Sequence, residues 1–335
     1  MIAITILVVA GIILALAFDF GNGRNDAANA VSTVVATRVL SLPAAVVLSA
    51  FFNFVAAFVF STAVAHMIGT GVVDPTAINV YVVIAGLVSS IIWIYGLSFL
   101  GIPISSSHSL IGGLVGAAIA ANGFGAVISD GLIKIVAFIF IAPIVGLIFA
   151  YMFSLLVLFI VRKTAPGKIQ SVFKYAQLLS VSVYSLGHGT NDAQKTMGVI
   201  SLLLFMGGFL GNSFSIPFWV VILSHLTIAT GTLAGGRRIV KTMATKITKL
   251  RPIEGFCAES AGAAVIWACS SFGIPVSTTH VIAGSISGVG VLNRTSAVNW
   301  NIARKIVAAW FLTIPLTAIV AAVAYVIIRA IAGFF

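Results

Sequence analysis

The stretch Gly21-Asn22-Gly23-Arg24-Asn25-Asp26-Ala27 returns as Gly187-His188-Gly189-Thr190-Asn191-Asp192-Ala193, at an offset of 166 residues. Each copy sets two glycines, an amide and a carboxylate into an apolar run. In a membrane interior every unsatisfied backbone group and every lone charge costs kilocalories, so such a stretch reads as a helix break lining a polar cavity. The rest of the chain reads as scaffold around these two breaks.

The surrounding composition fits a bilayer. Of 335 residues, 60% are hydrophobic and 7% charged, and the mean hydropathy is +1.19. Soluble domains carry about 25% charged residues, so the chain reads as an integral membrane protein with no soluble domain. The formal charge of +11 is assigned to loop cations that follow the positive-inside rule and meet lipid head groups, which excludes nucleic acid as a partner. Residues 1–18 lack a basic leader region and a cleavage site and are read as a mature span. Cys257 and Cys269 lack any metal-ligand spacing and are expected to be inert buried thiols.

Further matches follow in the same order in both halves. Gly101-Ile-Pro-Ile-Ser105-Ser106-Ser107-His108 is echoed by Gly273-Ile-Pro-Val-Ser277-Thr278-Thr279-His280, and Lys134-Ile-Val-Ala by Lys305-Ile-Val-Ala. Spans are expected at about 2–20, resuming over 27–36, then at 44–68, 77–100, 131–161, 218–234 and 254–271. The expected fold is all-α: two inverted-topology repeats with broken or re-entrant helices and about 10–12 transmembrane segments. Residues 1–161 form the first repeat, 162–176 a basic cytoplasmic linker and 177–335 the second repeat. The basic loops 162–174 and 237–251 are expected to be cytoplasmic and both termini outside. An inverted repeat is a common plan of secondary transporters, with the substrate held near the midplane where the repeats meet.

The chemistry is expected in four places. Pro103 and Pro275 each precede a hydroxyl triplet that opens a glycine-rich helix, so Ser105, Ser106 and Ser107 would face Ser277, Thr278 and Thr279. Two such helix starts offer backbone and hydroxyl donors to a tetrahedral oxyanion, although the same hydroxyls can simply cap their own helices. Asp26 and Asp192 would repel an anion and so require cations. With Asn22, with the amide oxygens of Asn25 and Asn191 and with carbonyls freed by the glycines they form a hard oxygen set for Na⁺, or they carry a proton. Asn25, Asn191 and Gln194 can turn an NH₂ towards the oxyanion. Glu259, an intramembrane carboxylate whose counterpart by register is Leu87, is a further coupling candidate.

The remaining polar residues have plainer readings. Asn53 is read as a helix-to-helix hydrogen bond, with an added oxygen ligand as the alternative. His108 and His280 are expected to orient the hydroxyl loops, His225 to sit in the core, and Arg24 and Lys195 to snorkel towards the interface.

The paired Asn-Asp motifs and the Pro-x-Ser-Ser-Ser-His and Pro-Val-Ser-Thr-Thr-His loops resemble the inorganic phosphate transporter (PiT) family over nearly the whole chain. Thr230-Gly-Thr-Leu-Ala-Gly-Gly-Arg-Arg and Cys257-Ala-Glu259 resemble its second half. The resemblance implies symport of phosphate with Na⁺ or H⁺ across a prokaryotic plasma membrane, with Asp26, Asp192 and Glu259 as coupling residues. The chain departs from the family by lacking the large central loop of animal members. It also has Asn53 where a first-half glutamate is common, which counts against a fully symmetric coupling scheme.

Na⁺ is favoured over H⁺ because the motifs offer more oxygens than a proton needs. No cofactor is expected; the partners are phosphate, the coupling cation, the bilayer and, as an open expectation, a second copy of the chain. The alternatives are a sulfate permease of the same fold, a passive anion channel and, remotely, an intramembrane serine hydrolase. Adjacent helical residues such as Ser107 and His108 are poorly placed to bond each other, which weighs against the last.

Overall fold

The computed structural model describes residues 2–59, 62–235, 239–240, 243 and 248–333. Their regular secondary structure is helical, apart from an isolated bridge between Val73 and Val127. The first half comprises α1 (Ile2–Ala36), α2 (Leu42–Val55), α3 (Ala63–Thr70), α4 (Val80–Leu100), α5 (Ser106–Asn122) and α6 (Ser129–Val161). The second comprises α7 (Pro166–Met206), α8 (Phe218–Leu233), α9 (Pro252–Ser271), α10 (Thr278–Asn293) and α11 (Trp300–Ala332).

By length and apolarity, four helical stretches can cross a membrane: α1, α4, α6 and the Ile306–Ala332 part of α11. A fifth span arises if α2 and α3, bent by 82°, act as one, so the expected continuous span over 44–68 is divided. Helices α8 and α10 are apolar but shorter. Between the halves only residues 162–165 are non-helical, and Pro166 opens α7 where its missing N–H costs nothing. Most of the stretch read as a linker is therefore helix. Of the basic loop read over 237–251, Arg237, Arg238, Lys241 and Lys246 lie outside the described residues.

The two motifs do not break their helices, contrary to the expectation. Helix α1 runs through Gly21–Asp26 and α7 through Gly187–Asp192 without interruption. The glycines serve close packing instead: a Cβ on Gly23 would stand 2.3 Å from the Ile228 carbonyl oxygen of α8, and one on Gly189 would stand 2.7 Å from Cα of Asn53 in α2. The carbonyls of an unbroken helix are engaged within it, so the freed backbone ligands do not arise.

The real breaks lie before α5 and α10. Gly101 (φ 70°) and Gly273 (φ 68°) end α4 and α9 in the left-handed region, which L side chains avoid. Pro103 and Pro275 then forbid continuation, and the Ser105 and Ser277 hydroxyls restart the chain by accepting from the His108 and His280 backbone N–H groups.

The halves exchange their last helices. Gly112 and Gly116 of α5 lie against the backbone of Ile314 and Ala318 in α11, while Gly284 and Gly288 of α10 lie against Pro143 and Leu147 in α6. Small residues let these backbones approach as neighbouring helices in a bilayer do. Side chains such as Ile133, Ile144, Ile148 and Phe159 remain outward on α6, as on a lipid-facing surface.

Candidate functional site

The hydroxyl loops meet in reciprocal contacts. Ser107 Oγ donates to the Val276 carbonyl (3.1 Å) and Thr279 Oγ1 donates to the Ile104 carbonyl (3.0 Å). Each loop thus gives the other the bond it receives, as contacts across a two-fold axis must. The rings of His108 and His280 meet edge to face with centroids 4.6 Å apart, and His280 stacks on Trp310 at 3.5 Å.

Helices α1 and α7 bring their carboxylates to this junction. Asp26 Oδ2 accepts from Ser106 Oγ (3.2 Å) and Thr278 Oγ1 (3.3 Å), so hydroxyls from both halves converge on it. The Asn25 amide donates to Asp26 Oδ1 (2.5 Å), and Ser106 Oγ donates to Asn22 Oδ1 (2.5 Å). Thr278 Oγ1 also lies 3.5 Å from Asp192 Oδ2. Asp26, His188 and Asp192 can each offer one ligand atom to a cluster in which all lie within 4.8 Å of one another. All these side chains are buried. Anionic oxygens and hydroxyls gathered in a dry site suit a hard cation, and Ser106 and Thr278, which reach it, open α5 and α10, helix starts of the kind that suit an anion.

The expected residues divide accordingly. Asn22, Asn25, Asp26, Ser106, Thr278 and Asp192 come together, and Ser107 and Thr279 lock the loops on either side. Ser105 and Ser277 are occupied as caps. Asn191 points its amide at Ser270 Oγ (2.9 Å), as Asn25 receives Ser98 Oγ (3.1 Å) in the other half. Gln194 does not join the site: its Oε1 accepts from the Ala65 amide (3.1 Å) near the start of α3, where helix N–H groups lack partners.

Glu259 also lies apart. It accepts from Thr33 Oγ1 (2.5 Å), Gln177 Nε2 (2.9 Å) and Ser180 Oγ. Thr33 is seven residues beyond Asp26 on α1, about 10 Å along the helix. Asn53 bridges helices through Thr232 (2.9 Å) and His188 (3.2 Å). His225 is buried with Nδ1 2.9 Å from its own helix at the Val221 carbonyl, and both cysteines are free and buried.

Lys195 overturns its expectation. It is 0% exposed, and its ammonium lies 2.5 Å from Asp192 Oδ1 and 3.3 Å from the Val276 carbonyl. Lys195 lies one turn after Asp192, eleven residues or about 16 Å from the C-terminal end of a 41-residue helix, too deep for its stem to reach the interface.

The comparisons with known proteins agree with this architecture. A family model described as the phosphate transporter family matches residues 22–169 and again 162–321. A protein of Rhizobium meliloti named "Probable low-affinity inorganic phosphate transporter" is 49% identical, over 95% of this chain and 96% of its own. A protein of the same name from Bacillus subtilis is 40% identical over 99% of both chains. The chain belongs to the phosphate transporter family. In fold it is similar to a solved structure titled "The sodium-dependent phosphate transporter", with a TM-score of 0.88, 24% identity and coverage of 97% of this chain and 99% of that one.

As a member of the phosphate transporter family the chain is a multi-pass membrane transporter rather than an enzyme. The hydrolase reading also fails geometrically, because the Ser107 hydroxyl donates to Val276 and not to a histidine. Three polar residues escaped the sequence reading. Asn29 donates to Thr278 Oγ1 (3.3 Å) and Thr279 Oγ1 (2.8 Å). His188 Nε2 lies 3.3 Å from Asp192 Oδ2, and Asp19 is a buried carboxylate within electrostatic reach of Asp192 and Lys195. All three lie in or beside the repeated motif, one or two turns from an aspartate, so helical spacing could have found them.

Proposed function

We propose that this protein is a cation-coupled inorganic phosphate symporter that works by alternating access, with Na⁺ favoured over H⁺ as the coupling ion. The observation that carries the reading is the convergence of Asp26 and Asp192, one from each half, on the hydroxyl loops of both halves. The Lys195 ammonium offsets one of the two carboxylates, and the other still repels an oxyanion entering in low dielectric unless a cation enters with it. Cation and anion are then bound together or not at all, which is the thermodynamic basis of symport.

Each group has a role. Asp26 and the Asn22 oxygen hold the cation beside Asp192, which already carries the Lys195 ammonium, with Glu259 as a separate coupling carboxylate. Ser106, Ser107, Thr278, Thr279 and the helix starts behind them donate to phosphate, with Asn25 and Asn29 as amide donors. Phosphate also carries a proton near neutral pH that a site carboxylate can accept, which sulfate lacks. Opposed rocking of the halves about their shared axis would expose the site to each side in turn. The protein is assigned to a prokaryotic plasma membrane, with loops 162–174 and 237–251 cytoplasmic and both termini outside. The titles of the bacterial relatives support phosphate, and that of the solved neighbour supports sodium.

The test is uptake of labelled phosphate into proteoliposomes under an inward Na⁺ gradient, compared with an inward proton gradient without Na⁺. Uptake driven by Na⁺, and lost in Asp26→Asn protein that still folds, is expected. Uptake that is indifferent to both gradients and fails to saturate would replace the reading with a channel. Stronger competition by sulfate than by unlabelled phosphate would replace the substrate.

A further inference from the structure

The repeated motif equates Asn22 with His188, Asp26 with Asp192 and Asn29 with Lys195, at the common offset of 166 residues. The two carboxylates are therefore set in different company. Around Asp26, the positions one turn before and one turn after hold amides. Asn22 presents Oδ1, an acceptor that can ligate a cation, and Asn29 is drawn away to Thr278 and Thr279. The side-chain donors on Asp26 itself, from Asn25, Ser106 and Thr278, are all neutral.

Around Asp192 both positions are basic. The Lys195 ammonium lies 2.5 Å from Oδ1 and the His188 ring nitrogen 3.3 Å from Oδ2. Among the described residues, the ion pair at the junction of the halves is that of Lys195 with Asp192, and the His188 ring lies against the same carboxylate. Lys195 is wholly buried and its second contact, the Val276 carbonyl, belongs to the hydroxyl loop of α10. A cation here is placed as a coupling ion would be: on the carboxylate, and against a carbonyl of the substrate loop.

We propose that Lys195 is a tethered counter-ion that takes the place of one coupling cation at Asp192, so that the mobile cation binds on the Asp26 side. The inference rests on the symport reading above and adds its stoichiometry. An ammonium is a compact point charge comparable to a bound alkali ion, but it cannot leave. Asp192 is neutralised in every stage of the cycle and contributes no ion to the transport ratio. A pair formed within one helix also spares the site a lone buried charge when it is empty of ions. The cost is a lower ceiling on accumulation, because each coupled cation multiplies the attainable phosphate ratio by its own gradient.

The test counts cations. Lys195→Asn restores the residue of the first half and is expected to bind one more Na⁺ per protein than the parent, measured with labelled Na⁺ on purified protein in detergent. In proteoliposomes clamped at zero potential under an inward Na⁺ gradient of about tenfold, its phosphate ratio at static head should rise by about tenfold. Lys195→Arg keeps the charge and should keep the parent count. The paired change Asp192→Asn with Lys195→Met removes both charges together, avoids a lone buried ion, and should also bind the parent number.

An unchanged count in Lys195→Asn, or a count reduced by one in the paired variant, would overturn the proposal. The second result would mean that Asp192 holds a mobile ion in the parent. A parent protein whose phosphate uptake ignores every cation gradient would instead sink the symport reading itself, a result distinct from either of these.

Discussion

Asp26 and Asp192 are the same residue in a repeated motif, yet one faces neutral donors and the other an ammonium. Removing one member of a buried pair strands the other, which costs about 3–5 kcal/mol, whereas replacing both by neutral groups costs far less. Asp192→Asn should therefore lower thermal stability in detergent sharply, and the added change Lys195→Met should recover most of the loss. Equal melting temperatures for the single and paired variants would show that Lys195 finds water when its partner is gone. Glu259 is buried against three neutral donors in a separate cluster. Glu259→Gln keeps the shape and two of the three donors' needs, so the protein should fold while cation-driven uptake falls by about tenfold or more. Uptake at the parental rate would reduce Glu259 to a structural tie between α1, α7 and α9.

At the scale of elements, the glycines of α1 and α7 are packing positions. A methyl on Gly23 would meet the Ile228 carbonyl oxygen at 2.3 Å, a backbone atom that cannot rotate away. Gly23→Ala should cost about 1–3 kcal/mol by overpacking. Gly96 in α4 has nothing within 4 Å of such a methyl, so Gly96→Ala should be neutral or slightly stabilising. Matching thermal shifts for the two variants would contradict the packing account. The loops before α5 and α10 are tied by Ser107 to Val276 and by Thr279 to Ile104. Either hydroxyl removed takes one of two donors from a buried carbonyl, Val276 keeping Lys195 and Ile104 keeping Asn25, so Ser107→Ala and Thr279→Ala should destabilise by similar amounts of about 1 kcal/mol. A large asymmetry between them would show that the two-fold relation is broken at the loops.

At the scale of the whole molecule, neither half is complete. Helix α6 of the first half packs on α10 of the second, and α11 of the second packs on α5 of the first. A chain cut in the short non-helical stretch 162–165 should transport phosphate only when both fragments are expressed together. Each fragment alone should be degraded or aggregate, as assayed by membrane yield and by uptake in cells lacking other phosphate transporters. Uptake by either fragment alone would refute the exchanged packing. The same exchange ties the hydroxyl loops to helices of the opposite half, so movement of one half against the other acts directly on the site.

Composition, the two Asn-Asp motifs and the two hydroxyl loops determined the class of the protein, its duplication and most of the residues that gather at the candidate site, because these depend on residue type and on order along the chain. Two conclusions required the fold. Glycine inside an apolar run has the same spelling whether it breaks a helix or admits a neighbour, and only the approach of α8 and α2 shows that Gly23 and Gly189 do the second. Likewise Lys195 and Gln194 are adjacent in the motif, but successive helical residues point about 100° apart. Tertiary packing turned Lys195 onto Asp192 and Gln194 onto the start of α3, and no property of either residue alone decides that.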